Sequence, residues 1–184
     1  MKILLTAFKP FNGRKWNVTE EVLPFVDILG ASIRRLVLPV SYKRCFVSVR
    51  KALKEFNPDI IISFGEACYD KDIVVERRAH NSLHSRLSDE DGVYKNGERI
   101  SLKGPEYLYS SFDINSLYFT SVTDSLPVSF SNDCGGFICN EVYYQDLLSS
   151  ISTDRKVLFI HLSSSIYDFE KTGYNISALL KGII

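Results

Sequence analysis

Short apolar runs separated by polar, helix-length stretches organise this chain. Lys2 to Phe8 holds Ile3-Leu4-Leu5 with no breaker and predicts a short buried strand. Pro10-Phe11-Asn12-Gly13 reads as a turn. Thr19 is placed to cap a helix beginning Glu20-Glu21, two acids suited to its N-terminal dipole. Ile33 to Leu38 predicts a second strand. Ser41 is placed to cap a helix from Tyr42 to Phe56, whose Cys45, Val49, Ala52, Leu53 and Phe56 form one stripe. Ile60-Ile61-Ile62-Ser63-Phe64 predicts a central strand covered on both faces and ended by Gly65.

Asp72 to Ala79 reads as extended. Asn96-Gly97, between short flanks, predicts a hairpin turn, and Gly104-Pro105-Glu106 a helix start. Val128 to Ser131 predicts a strand, Ile138 to Ile151 a helix, and Lys156 to His161 the last strand. Gly173 is expected to precede a final helix through Ile184. Strands alternating with helices argue an α/β protein: a three-layer α/β/α sandwich around a mixed, mostly parallel sheet, with residues 1–184 as a single domain.

Composition narrows the function classes. Hydrophobic residues make up 45% and charged residues 24% of the 184, as in a soluble globular protein. Lys+Arg and Asp+Glu both number 22, and no dense basic run advertises nucleic acid. No stretch approaches a membrane span and the apolar start is too short for a signal segment, so the expected location is the cytoplasm. Cys45, Cys68, Cys134 and Cys139 form no C-x-x-C pair, and His80, His84 and His161 stand in no zinc-ligand spacing with them. Free thiols, no structural metal and no cofactor are expected.

In open α/β sheets chemistry gathers at the carboxyl ends of strands. The segment Ser131-Asn132-Asp133-Cys134-Gly135-Gly136-Phe137-Ile138-Cys139-Asn140 is the most informative of these ends. It places Cys139 in the first turn of a helix, where unpaired N–H groups and the dipole favour a thiolate and offer donors to an oxyanion. Position alone fits a small buried cysteine equally well. His161, ending Val157-Leu158-Phe159-Ile160, suits a base or a core histidine. Glu76 suits an orienting acid or a surface ion pair with its arginine neighbours. Phe8 and Phe11 suit the floor of a small-ring pocket or ordinary core. Arg86 suits a substrate-carbonyl contact or a solvated site near Asp89, Glu90 and Asp91. His80 and His84 read as structural or exposed.

Taken in order, these segments resemble the pyroglutamyl peptidase I family over nearly the whole chain. Thr6-Ala7-Phe8-Lys9-Pro10-Phe11-Asn12-Gly13 is similar to T-G-F-x-P-F-G-G, with Asn17 matching a following asparagine. Leu38-Pro39-Val40 resembles L-P-V, and Glu76-Arg77-Arg78-Ala79-His80-Asn81 resembles E-R-x-A-x-N. The cysteine segment resembles S-N-x-A-G-x-(aromatic)-x-C-N, and Phe159-Ile160-His161 resembles F-I-H. The departures are Ala7 and Asn12 in place of glycines, Cys134 where alanine is usual, Ser163 in place of proline, and Glu66 where glutamine is common.

The resemblance implies a cysteine exopeptidase that removes N-terminal pyroglutamate from peptides. Cys139 would be the nucleophile, His161 the base, Glu76 the acid that orients it, and Arg86 an oxyanion partner. Phe8 and Phe11, with Phe137 alongside, would hold the ring, and backbone groups near Glu66 and Ile138 its polar edge. It also implies a homo-oligomer, tetrameric in bacterial members. A hydrolase of altered substrate preference, a non-catalytic lactam binder and a thiol-redox pair of Cys134 and Cys139 are the alternatives.

Overall fold

The computed structural model describes residues 1–181. Its strands are β1 (Lys2–Phe8), β2 (Ser32–Leu38), β3 (Ile60–Ala67), β4 (Ile73–Glu76), β5 (Arg78–His80), β6 (Leu83–His84), β7 (Asn96–Glu98), β8 (Tyr107–Tyr109), β9 (Val128–Ser131) and β10 (Lys156–Ser163). The helices are α1 (Val18–Val22), α2 (Cys45–Phe56), α3 (Ile114–Thr123), α4 (Ile138–Ser150) and α5 (Phe169–Lys181). Six strands form the central sheet in the order β2-β1-β3-β10-β4-β9. The first four are mutually parallel, β4 runs antiparallel to β10, and β9 is parallel to β4. The mixed, mostly parallel α/β sheet expected from the sequence is therefore present.

Strand periodicity sorts side chains between the two faces. Ile3, Leu5 and Ala7 of β1, Ile60, Ile62 and Phe64 of β3, and Leu158, Ile160 and Leu162 of β10 pack with Val18, Leu117, Ile176 and Leu179 from α1, α3 and α5. Leu4 and Phe8, Ile61, and Val157 and Phe159 pack on the other face with Val49 and Ala52 of α2 and Val142 and Leu147 of α4. The same parity puts Gly65, Glu76 and His161 on the α2/α4 face, and Glu66 on the α1 face.

Several local expectations need correction. The N-cap of α1 is Asn17, whose Oδ1 accepts the Thr19 N–H at 2.9 Å; Thr19 Oγ1 instead accepts the Phe8 N–H at 3.0 Å. α2 begins at Cys45 rather than Tyr42, although Ser41 Oγ still accepts the Arg44 N–H in the turn that leads in. β3 runs through Gly65 to Ala67. Asn96-Gly97 is not a hairpin turn. It lies within β7, where Gly97 at φ 93° sits at an irregularity opposite Leu83 and His84; a β-bulge absorbs the positive φ that a tight turn would have used.

Gly104-Pro105 opens no helix: Asn81 Nδ2 holds the Ser101 and Gly104 carbonyls in a loop before β8. The helix of this region is α3, capped by Asp113 Oδ1 on the Asn115 N–H. Gly173 lies inside α5, not before it. A Cβ there would stand 2.4 Å from Phe25 Cβ, so the glycine permits close approach of α5 to the 3-10 turn Leu23–Phe25. The expected end of this helix at Ile184 lies outside the described residues.

Candidate active site

Three neighbouring strands and one helix start converge on the α2/α4 face. His161 pairs with Gly65 across β10–β3, and Phe159 pairs with Glu76 across β10–β4. His161 and Glu76 are thus diagonal neighbours on one face, within reach of long side chains. The His161 Nδ1 lies 2.8 Å from Glu76 Oε1, and both side chains are buried. α4 then carries Cys139 over Gly65. A Cβ on Gly65 would stand 2.8 Å from Cys139 Sγ and 2.9 Å from His161 Nε2, so the sulfur and the imidazole meet in the space that glycine leaves. Gly65 does not terminate a strand; it clears room within one.

α4 is fixed to the sheet by polar bonds as well as apolar packing. Tyr143 donates its hydroxyl to the Glu76 carbonyl at 2.9 Å. Ser63 donates to Asp146 at 2.9 Å. Asn140, fully buried, accepts the His80 N–H at 3.0 Å and donates to the His80 and Ser82 carbonyls. The helix start itself has no side-chain cap at Phe137. Its first N–H groups lack intrahelical acceptors and stand beside Cys139.

Electrostatics make His161 an unusual histidine. Burial pushes the imidazole toward neutrality, but its hydrogen bonds to Cys139 and Glu76, with their charge, outweigh it and raise the pKa to about 9. Tyr69 covers the pair: its hydroxyl is 3.4 Å from Glu76 Oε1 and its ring centroid 5.7 Å from that of His161. Ser163 Oγ donates to the Tyr69 carbonyl at 2.8 Å, holding this cover in place. Cys134 is buried beside the same carboxylate. Burial, then the Glu76 charge, pushes its thiol well up, which keeps it protonated.

A cavity of about 350 Å³ opens beside Cys139. Phe8, Phe11, Asn17, Glu66, Phe137 and Ile138, all expected from the sequence, line it, together with Arg14, Val40 and Leu87. The Phe11 and Phe137 rings lie 5.8 Å apart. Glu66 does not offer its side chain to the cavity: Oε1 pairs with Arg14, and Oε2 accepts the Val18 N–H at 2.8 Å. Asn17 likewise spends its amide on Thr19 and the Lys9 carbonyl, shaping the wall through the loop it holds. Arg86 is exposed and is not among the lining residues; Leu87 is the residue of that segment that reaches the cavity. Glu90 and Asp91, near which Arg86 was expected to sit, pair with Arg44.

Gly65, Tyr69, Arg14 and Asn140 were given no role at the site from the sequence. A glycine inside an apolar strand was the available signal for the first, and the asparagine directly following Cys139 for the last. Nothing local marks Tyr69 or Arg14.

Comparison with known proteins gives a consistent picture. Residues 1–168 match the family model described as pyroglutamyl peptidase. The pyrrolidone-carboxylate peptidase of Fusobacterium nucleatum is 32% identical, covering 99% of this chain and 89% of that protein. Pyrrolidone-carboxylate peptidase 1 of Caldanaerobacter subterraneus is 35% identical, covering 100% and 94%. The solved pyrrolidone carboxyl peptidase of Thermococcus litoralis superposes with a TM-score of 0.90 at 28% identity, over 99% of this chain and 92% of that one.

Proposed function

Because this chain belongs to the pyroglutamyl peptidase family, we propose that Cys139, His161 and Glu76 carry out its reaction, the removal of N-terminal pyroglutamate from peptides. The observation that supports this assignment best is the meeting of Cys139 and His161 over Gly65 at the mouth of an aromatic cavity.

Pyroglutamate is a neutral lactam, flat and small, with one N–H and one C=O at its edge. The cavity suits such a ring. Its volume is at the small end for ligand sites, and Phe8, Phe11 and Phe137 give it apolar walls. An aminopeptidase needs a free carboxylate for the substrate ammonium. Here Glu66, the one acidic lining residue, has both oxygens engaged, which disfavours a charged terminus and leaves backbone groups to satisfy the lactam edge.

Cys139 Sγ attacks the carbonyl carbon that joins pyroglutamate to the next residue. The oxygen takes up negative charge at the uncapped start of α4, where backbone N–H donors stabilise it. Collapse breaks the C–N bond, and His161 gives its proton to the departing amine. Water then adds to the thioester, His161 takes its proton, and pyroglutamate leaves with Cys139 restored. Glu76 keeps the imidazole aligned and stabilises its charged form. Arg86, exposed and outside the cavity lining, takes no step in this scheme.

No helix among the described residues is long and apolar enough to cross a membrane. We also infer a homo-oligomer, supported by the exposed Tyr118, Phe119 and Val122 on α3; sedimentation of the purified chain tests it. The functional test is hydrolysis of pyroglutamyl-, glutamyl- and prolyl-amides side by side. Only the first is expected to be cleaved, and Cys139→Ala to abolish cleavage. Thiol-independent activity, or equal rates on all three amides, would contradict the assignment.

A further inference from the structure

Tyr69 stands between solvent and the most buried charges of the site. It is half-buried, while His161 and Glu76 behind it are 3% and 0% exposed. Its ring packs edge-on against the imidazole, with centroids 5.7 Å apart. Its hydroxyl is 3.4 Å from Glu76 Oε1 and 3.5 Å from the Asp133 carbonyl. Both separations are long for O–H···O bonds, so the ring, more than the hydroxyl, defines what Tyr69 does here.

The turn that carries Tyr69, between β3 and β4, is tied to the end of β10. Ser163 Oγ donates to the Tyr69 carbonyl at 2.8 Å, and the Ser163 N–H donates to the Asp72 carbonyl at 3.0 Å. Ser165 Oγ lies 2.7 Å from Ser163 Oγ, and the Ser164 N–H donates to the Ala67 carbonyl at 2.9 Å. Proline, the residue of the motif this segment resembles, has neither a hydroxyl nor an N–H. Both donors that serine brings to position 163 are spent on the Tyr69 turn.

We propose that Tyr69 is a positioning residue for the reaction, its ring keeping water from the Glu76–His161 pair, and that Ser163 is its anchor. The groups facing His161 are Glu76 from β4, Cys139 from α4, Cys134 from the loop before α4, and Tyr69 itself; β3 places Gly65 opposite. Tyr143 and Asp133 stand one layer further out, the first against Phe159 and the second at the Tyr69 hydroxyl. Glu76 and Cys139 favour the charged imidazole, and burial opposes it. Charges in a dry site attract more strongly than the same charges in water. Water admitted at Tyr69 weakens the attraction and relieves the burial together. Attraction is the larger of the two in the closed site, so the net result is a loss of proton affinity at His161. The consequence for catalysis rests on the assignment of His161 as proton carrier; the shielding does not.

The test follows the imidazole by NMR titration of the full chain labelled with ¹⁵N in its histidine rings, the His161 signal being identified by its absence in His161→Ala. Wild type is compared with Tyr69→Phe, Tyr69→Ala, Ser163→Ala and the double variant. Wild type should titrate at about 9, and Tyr69→Phe with it. Tyr69→Ala should lower the midpoint by about one pH unit or more, the scale on which a nearby opposite charge acts. Ser163→Ala should move it the same way by less, and should add nothing once Tyr69 is gone. The alkaline limb of kcat/KM for a pyroglutamyl amide should follow the midpoint in each variant. An unmoved midpoint in Tyr69→Ala, a Tyr69→Phe midpoint that falls as far as that of Tyr69→Ala, or a Ser163→Ala effect that persists without Tyr69 would overturn the proposal. Ser163→Ala, the loss of one oxygen, carries the test should Tyr69→Ala fail to fold. The titration decides the shielding even if no pyroglutamyl amide is hydrolysed.

Discussion

Glu76 and His161 approach to 2.8 Å, Oε1 to Nδ1, on a sheet face closed to solvent. A buried carboxylate without its partner would face a desolvation penalty of several kcal/mol, so each residue fixes the other. Glu76→Gln retains the size but removes the charge. kcat is expected to fall by about 10²–10⁴, the range for a positioned acid–base group. Glu76 helps to raise His161 to about 9, so the alkaline limb of the kcat/KM profile should move to lower pH in the variant. An unmoved limb would remove Glu76 from the role of stabilising the charged imidazole.

Gly65→Ala places a methyl group in the gap where Cys139 and His161 meet, 2.8 Å from the sulfur. The contacting atoms are side chains, not backbone, so the sheet can persist while the catalytic geometry shifts. A displacement on the order of 1 Å costs about 10²-fold in rate. kcat should drop by that order with a cooperative thermal transition retained, as calorimetry beside the amide assay would record.

Glu66 stands where the resemblance has glutamine, and its role here is local. It neutralises Arg14 and accepts the Val18 N–H at the start of α1. Glu66→Gln keeps an oxygen for Val18 and should leave KM for a pyroglutamyl amide little changed. Glu66→Ala removes the acceptor and frees Arg14 at the cavity wall. It should cost about 0.5–2 kcal/mol, the range for loss of a helix N-terminal acceptor, and raise KM. Denaturant unfolding and steady-state kinetics on the two variants separate these effects.

Asp146 of α4 is buried against β3, and burial pushes its carboxyl from 3.8 up to about 7 against the opposing Ser63 hydrogen bond. The folded chain therefore holds this proton more tightly than the unfolded one. Its stabilising effect is complete below the unfolded value of 3.8 and is lost as pH rises through about 7. Glu141, also raised to about 7 by burial, acts with the same sign. Asp146→Asn should flatten this slope, melting closer to or above wild type at pH about 8 than at pH about 4. Parallel melting curves across that interval would rule out Asp146 as a source of the slope.

How much of this was legible in the chain depends on the range of the interaction. β1 and β9 follow from local apolar patterning, since β1 buries Ile3 to Phe8 and β9 packs Val128 and Phe130 on the core; α4 is held in part by buried polar side chains, Asn140 and Asp146, that no apolar pattern shows. The cavity residues Phe8, Phe11 and Phe137 could be named because motif order carried them. Asn96-Gly97 misled because a positive φ serves a bulge as well as a turn. Gly173 misled because a glycine needed for contact with Phe25 looks like a helix boundary. Gly65 shows the same limit at the site. Its local signal ends a strand, whereas the reason for it lies with Cys139 and His161, which are brought over it by strands and a helix remote in sequence. Arg86 was named from the resemblance, and a match in sequence does not fix which way an exposed loop residue faces.

The most direct measurement is to trap the acyl-enzyme. The protein would be mixed with an activated pyroglutamyl ester, quenched in acid and digested, and the peptides read by mass spectrometry. The expected result is one pyroglutamyl group on the peptide containing Cys139, absent in Cys139→Ala and accumulating more slowly in His161→Ala. An adduct on Cys45, Cys68 or Cys134 instead, or turnover with no thioester at Cys139, would contradict the assignment of the nucleophile.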